Sequence, residues 1–351
     1  MVNKSPRELL EIPSSWSIPH IQAALESSLQ GDGPALTFGA SKFKTVESSI
    51  CIVISTSGST GSPKEVALTA EALRASALAS HQFLGAKPSE RWSLMLPTNH
   101  IAGINVLVRA LELGTDIAPE DFEYTSIVPT QLYRALTDKG ELLLLLQNAK
   151  AVLVGGAATQ GELLVRAREH GINVVTTYGM SEMSGGCVYN NQPLNGVEVE
   201  IREGDRIALR GPMQAKEYLG STKPLADSTG WFVTNDVGFV TAGKLTVLGR
   251  VDDQIISGGE KISLAAIDLF LNSKATDTYM SCAIPDPEWG ELLCLASSET
   301  MDQAALCQQL REQFGKHGVP KLFLSDIELP RTSIGKPDRQ TLSKRFERIT
   351  P

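Results

Sequence analysis

Nine consecutive residues hold more chemical potential than any other stretch of this 351-residue chain: Thr56-Ser57-Gly58-Ser59-Thr60-Gly61-Ser62-Pro63-Lys64. Gly58 and Gly61 permit backbone conformations that bring N–H groups close to a ligand. Ser57, Ser59 and Thr60 add hydroxyl donors, and Lys64 adds a cation, so the set suits triphosphate oxygens. The spacing is not that of a Walker A loop, where lysine follows glycine directly and precedes Ser or Thr; Lys64 follows Pro63 and precedes Glu65. A flexible surface turn has the same composition. What favours a ligand is position: the loop lies between the β-branched run Ile50-Cys-Ile-Val-Ile-Ser55 and a helical pattern, where α/β folds hold ligands.

Three later stretches carry further candidates. Tyr178-Gly179-Met180-Ser181-Glu182 offers an aromatic plane for a purine, a hydroxyl for a phosphate and, in Glu182, a carboxylate for Mg²⁺. A polar helix start with a solvated glutamate would read the same way. In Gly230-Trp-Phe-Val-Thr-Asn-Asp-Val-Gly238, Asp236 could accept both hydroxyls of a ribose, and Arg250 could reach that ribose from the next loop. The plainer alternatives are a turn aspartate and a surface arginine. Near the end, Lys336 stands between Gly335 and Pro337, a restrained loop that could present a cation to a reacting carboxylate and α-phosphate. An isolated Gly-Lys-Pro is usually an exposed loop.

Taken together and in this order, from about residue 50 to the C-terminus, these motifs resemble the acyl-adenylate-forming superfamily. That group comprises acyl-CoA synthetases, adenylation domains and luciferases. The resemblance implies a phosphate-binding loop over Ser57, Gly58, Ser59, Thr60, Gly61 and Lys64, with Ser59 where Thr is commoner and Glu65 where Gly is commoner. It implies that Tyr178, Gly179 and Ser181 hold the nucleotide, that Glu182 is the magnesium carboxylate and that Asp236 and Arg250 bind the ribose. Asp252 falls at the hinge, Lys336 at the catalytic lysine, and His100 in Pro97-Thr-Asn-His-Ile-Ala-Gly103 at a motif lining the acyl pocket. The loop containing Gly258 and Gly259 would face a pantetheine arm once the small domain rotates. The implied cofactors and substrates are ATP, Mg²⁺, coenzyme A and a carboxylic acid.

The phosphate loop begins earlier than in most relatives, so much of the usual N-terminal subdomain is expected to be reduced. This short form, with Leu96–Gly103 and Val128-Pro-Thr-Gln-Leu132, is similar to actinobacterial-type o-succinylbenzoate-CoA ligases of menaquinone biosynthesis. Another aryl or acyl acid, or a carrier-protein thiol as acceptor, stays open. So does a nucleotide-binding protein without turnover. A second carboxylate and a ketone on the acid would need polar partners, for which Asn99, Asn105, Thr177 and Ser184 are candidates.

These residues need a scaffold that alternates strands with helices. Short apolar strands at residues 50–55, 91–96, 126–128, 151–154 and 174–177 are separated by helical patterns at 69–83, 105–113 and 160–170. This predicts an α/β fold: a large domain over residues 1–250 with mostly parallel sheets flanked by helices. After about residue 195 the texture becomes short and alternating, a small antiparallel β subdomain. Residues 251–351 read as a small, mobile α+β domain.

The bulk composition limits the alternatives. Hydrophobic residues make up 42% and charged residues 21%, enough for a packed core. A net charge of −8 disfavours nucleic acid as the main partner. The five cysteines show no C-x-x-C pair and read as core residues of a reducing compartment. Residues 1–13 lack the apolar stretch of a signal peptide, and the leucine run at 142–146 is far too short for a membrane span. A cytoplasmic protein is expected, with room for a homodimer across the shortened N-terminal face.

Overall fold

The computed structural model describes residues 5–56, 64–159, 161–272, 278–331 and 337–349, and for Asp252 its backbone alone. The first sheet starts from β1 (Arg7–Glu11), β2 (Ala35–Thr37), β3 (Thr45–Val46), β4 (Ile50–Thr56) and β5 (Lys64–Thr69), with α1 (Ile18–Gln30) between β1 and β2. β1 pairs with β2, and β2 with β4, in parallel; β3 and β5 pair antiparallel with β1 and β4. Ile50 to Ile54 are all buried, as expected of an apolar run covered on both faces. β5 corrects the sequence reading. Thr56 pairs with Lys64, so the glycine-rich loop joins two antiparallel strands and does not pass directly into a helix. The helix, α2 (Ala70–Leu84), follows β5 and starts where Thr69 Oγ1 accepts a hydrogen bond from the Ala72 N–H, a cap worth about 1 kcal/mol.

The second sheet is built from β6 (Trp92–Leu94), β7 (Tyr124–Ile127), β8 (Ala151–Val154) and β9 (Val174–Met180), all parallel. α3 (Ile101–Glu112) connects β6 to β7; α4 (Pro129–Asp138) and α5 (Glu141–Asn148) connect β7 to β8; α6 (Gly161–Glu169) connects β8 to β9. β10 (Gly185–Tyr189) and β11 (Gln192–Pro193) extend the sheet antiparallel. α3 is apolar on every side because it is packed on every side. Val106 and Ala110 join the core of the second sheet, with Trp92, Tyr124 and Tyr189, while Ile104, Leu107 and Val108 join that of the first, with Ile52, Ile54 and Leu68. Truncating Leu107 to Ala would cost about 2–5 kcal/mol. A third cluster, with Ile127, Leu132, Leu146 and Val152, lies under α4, α5 and α6.

β12 (Glu198–Arg202), β13 (Arg206–Arg210), β15 (Phe232–Thr241) and β16 (Lys244–Arg250) form an antiparallel third sheet. Between them the two-residue β14 (Glu217–Tyr218) returns to the first sheet and pairs with β5. Asp236 therefore lies inside a ten-residue strand and not in a turn, and it pairs in register with Arg250. After a 3-10 turn at Val251–Asp253 come β17 (Gln254–Ser257), β18 (Glu260–Ser263), α7 (Leu264–Leu271), β19 (Tyr279–Asp286), β20 (Gly290–Ser297), α8 (Gln303–Phe314), β21 (Leu322–Leu324) and α9 (Arg339–Glu347). Their sheet runs β18-β17-β20-β19 with β21 on β20, and it has its own apolar clusters around Ile267, Leu295 and Leu310 and around Cys282, Cys294, Leu342 and Phe346. Cys51, Cys187, Cys282 and Cys294 are buried and Cys307 is half-buried. Among the described residues no helix is long and apolar enough to cross a membrane.

Candidate functional site

The carboxyl end of β9 organises the candidate site. The strand continues through Tyr178 and Gly179 to Met180, one register step from β10, and a 3-10 turn at Ser181–Met183 then lifts Glu182 out of the sheet. No other residue fits at Gly179: an added Cβ would lie 1.9 Å from the Gly185 carbonyl oxygen. Ser181 is buried and its carbonyl accepts from the Ser184 N–H at 3.0 Å. The Tyr178 hydroxyl donates to Asp236 Oδ2 at 2.6 Å, and Arg250 Nη1 lies 3.6 Å from Asp236 Oδ1. Burial, and then the Asp236 charge, push the Tyr178 phenol well above its ordinary range, so it remains a neutral donor. The chain thus presents an aromatic ring, a mostly buried carboxylate and a half-exposed arginine on one surface. These are parts that can face a base and a ribose.

A second group adjoins it through Glu182. The Tyr218 hydroxyl donates to Glu182 Oε1 at 2.7 Å, and the Lys64 ammonium sits 4.9 Å from the centroid of the Tyr218 ring. The backbone is joined here as well, with the Ala215 N–H donating to the Glu182 carbonyl at 2.8 Å. Glu182 is the one candidate carboxylate for Mg²⁺, and among the described residues no group of three or more His, Cys, Asp or Glu gathers. That donor set fits a magnesium ion that keeps most of its waters and takes phosphate oxygens as ligands. Ser57, Gly58, Ser59, Thr60 and Gly61 lie outside the described residues, as does Lys336. Residues 331 and 337 that bracket the lysine's loop pair as a β-bridge, and the Asp338 N–H donates to the Pro330 carbonyl at 2.9 Å.

His100 is the N-cap of α3, half-buried, and its carbonyl accepts from the Gly103 and Ile104 N–H groups. The same helix carries a buried cation that was not anticipated. Arg109, 3% exposed on the same helix, donates to the Tyr189 hydroxyl at 2.8 Å and stacks 5.0 Å from the Trp92 ring, while its Nε has no hydrogen-bond partner. A single cation inside the apolar run Ile104-Asn-Val-Leu-Val-Arg109-Ala-Leu was the sequence signal for it. Two pocket candidates make internal hydrogen bonds. Asn105 donates to the Ser184 carbonyl at 2.6 Å and Ser184 Oγ to the Met213 carbonyl at 2.7 Å, both buried. The first bond ties α3 to the start of β10, and the second ties that point to the loop after β13. Tyr218 carried no readable signal, because Lys216-Glu-Tyr-Leu219 matches none of the spacings that mark chemistry.

Gly258 and Gly259 have a different neighbourhood, the β17–β18 turn, with φ of 57° and 83°. Gly258 is covered by an imidazole: a Cβ there would lie 2.7 Å from His317 Cε1. Trp289 packs edge-on to His317, with Lys321 Nζ 4.8 Å from its ring centroid. At the first turn of α9, Arg339 reaches Asp253 Oδ1 at 3.3 Å and Asp268 Oδ2 at 2.7 Å.

Comparison with known proteins identifies the family. Residues 17–206 match the family described as AMP-binding enzyme, so the match starts well before the first motif read from sequence. A Mycobacterium tuberculosis protein named "Probable 2-succinylbenzoate--CoA ligase" is 35% identical, over 96% of this chain and 98% of its own length. The "2-succinylbenzoate--CoA ligase" of Lactococcus lactis is 32% identical, over 84% of this chain and 70% of its own. A variant of E. coli MenE solved with bound OSB-AMS superposes with a TM-score of 0.74 at 26% identity, covering 97% of this chain and 82% of that one.

Proposed function

The chain belongs to the AMP-binding enzyme family, and on that premise we propose that it is an AMP-forming acid–CoA ligase whose acid is o-succinylbenzoate, serving menaquinone biosynthesis in the cytoplasm. The observation that carries the reading is the meeting of Tyr178, Asp236 and Arg250, with Glu182 following Tyr178 by four residues at the end of the same strand. In the first half-reaction the substrate carboxylate attacks the α-phosphorus of ATP and pyrophosphate leaves. Asp236 and Arg250 hold the ribose, Tyr178 faces the purine, and the loop from Ser57 to Gly61 with Lys64 cradles the departing phosphates. Mg²⁺, held by Glu182, would draw charge from the phosphate oxygens. Lys336 stabilises the charge between carboxylate and α-phosphate, so catalysis is mainly positioning and electrostatics.

In the second half-reaction the thiol of CoA attacks the acyl carbonyl and AMP leaves. Residues 251–351 act as a lid pivoting near Asp252 and Asp253, which withdraws Lys336 and brings Gly258 and Gly259 to the pantetheine. The specific acid is supported by the relatives, of which those of Mycobacterium tuberculosis and Lactococcus lactis carry 2-succinylbenzoate--CoA ligase in their names.

The test is pyrophosphate release with Mg-ATP across a panel of acids, with and without CoA. Release that depends on o-succinylbenzoate, with its CoA thioester as product, is the expected outcome. Release with a different acid would keep the ligase and discard the substrate; nucleotide binding without release under any acid would discard the ligase.

A further inference from the structure

We propose that Tyr218 is a positioning residue that spaces Lys64 from Glu182, so that both charges remain available to a metal–triphosphate ligand. The inference rests on the reading above. Its basis is how the three side chains come to meet. Tyr218 pairs across β14 and β5 with Val66, and Lys64 lies two residues before Val66 on the same strand face. Lys64 is therefore its diagonal cross-strand neighbour, which puts the ammonium over the ring at 4.9 Å. Glu182 arrives from the other sheet, and the phenol edge meets it as a hydrogen bond of 2.7 Å. The strap bearing the tyrosine is fixed to both sheets. The Ala215 N–H donates to Glu182, the Lys216 N–H to Ala67 and the Leu219 N–H to Glu65.

An exposed lysine and a partly buried glutamate that share one tyrosine as neighbour would otherwise be free to pair, cancelling the two charges that a triphosphate and a divalent cation need. The ring prevents that by offering each charge a different neutral partner, its face to the ammonium and its hydroxyl to the carboxylate. Burial, and then the Glu182 charge, hold the phenol far above its ordinary range, so it does not itself become an anion. Glu182 Oε1 is thus oriented, and Oε2 is left to the metal or its waters.

The readout is Mn²⁺ binding, followed by electron paramagnetic resonance, to the whole protein saturated with a non-hydrolysable ATP analogue. Tyr218→Phe removes the hydroxyl and keeps the ring; it is expected to weaken Mn²⁺ about tenfold, the scale of a lost hydrogen bond to a charged group, with metal-free analogue affinity within about twofold of the parent. Tyr218→Leu also removes the ring, and is expected to lower metal-free analogue affinity about threefold. Because Tyr218 acts through Glu182, the Mn²⁺ effects of Tyr218→Phe and Glu182→Gln should not add in the double variant. Unchanged Mn²⁺ affinity in Tyr218→Phe, or strictly additive effects, overturns the positioning role while leaving the ligase reading standing. A parent protein that binds neither analogue nor Mn²⁺ overturns both.

Discussion

His81 is buried beneath Trp92, ring centroids 6.1 Å apart, with an Nε2 that has no partner. Burial first, and then the nearby Arg109 charge, push its imidazole from 6.5 down to about 4. On unfolding it regains an ordinary affinity for protons, so between those values the unfolded chain binds more protons than the folded one. Stability is expected to fall as pH drops from about 6.5 to about 4, by up to about 3 kcal/mol. Urea titrations across that range check it, and His81→Phe should flatten the slope. Glu90 acts lower on the scale. Desolvation raises its carboxyl, but Lys150, Tyr124 and the Lys87 N–H outweigh it and bring it from 4.5 to about 2, so its contribution is lost progressively as pH falls between those values. At the candidate site, Asp236→Asn keeps an acceptor for Tyr178 but removes the charge facing Arg250. ATP-analogue affinity should fall at least about tenfold with the melting temperature little changed, as calorimetry and thermal melts would show. Asp236 and Arg250 were legible because their motif spacing reflects a strand register that sets them opposite each other. Arg109 was legible as an anomaly that went unread, and Tyr218 was not legible at all, since its partners come from positions 64 and 182, far away along the chain.

Among the elements, the strands of the second sheet could be read closely because each is a short apolar run bounded by turn residues, and residues 151–154 match β8 end to end. β5 was missed. Glu65-Val-Ala-Leu68 is short and rich in good helix formers, and only pairing with β4 on one side and β14 on the other makes it a strand. α9 shows a different kind of dependence. Its first residue, Arg339, ties the base of the loop holding Lys336 to Asp253 in the 3-10 turn and to the buried Asp268 of α7. Burial pushes the Asp268 carboxyl up and the Arg339 charge pulls it back. Arg339→Met would leave that carboxyl buried without its cation, at a cost of about 3–5 kcal/mol measured by denaturant unfolding. Adding Asp268→Leu should recover part of the loss, whereas a purely geometric role for Arg339 would leave the double variant no better.

At the scale of the whole molecule, the sequence indicated the order of textures, parallel α/β, then antiparallel β, then mixed. It did not show that β14 leaves the third sheet's neighbourhood to finish the first, because a two-residue strand has no periodicity to read. That return has a consequence for biosynthesis. The first sheet's β5 edge is made early but acquires its β14 neighbour only once residue 218 has been synthesised. Through that interval the nascent chain presents an open, partly apolar strand edge, the kind of surface that pairs with strangers. The residue that closes the edge also meets Lys64 and Glu182, so the sheet and this corner of the nucleotide site are completed together, ahead of Asp236 and Arg250. A polypeptide stalled before residue 217 would be sticky, and one stalled between 218 and 236 would have a closed sheet but no ribose-binding pair.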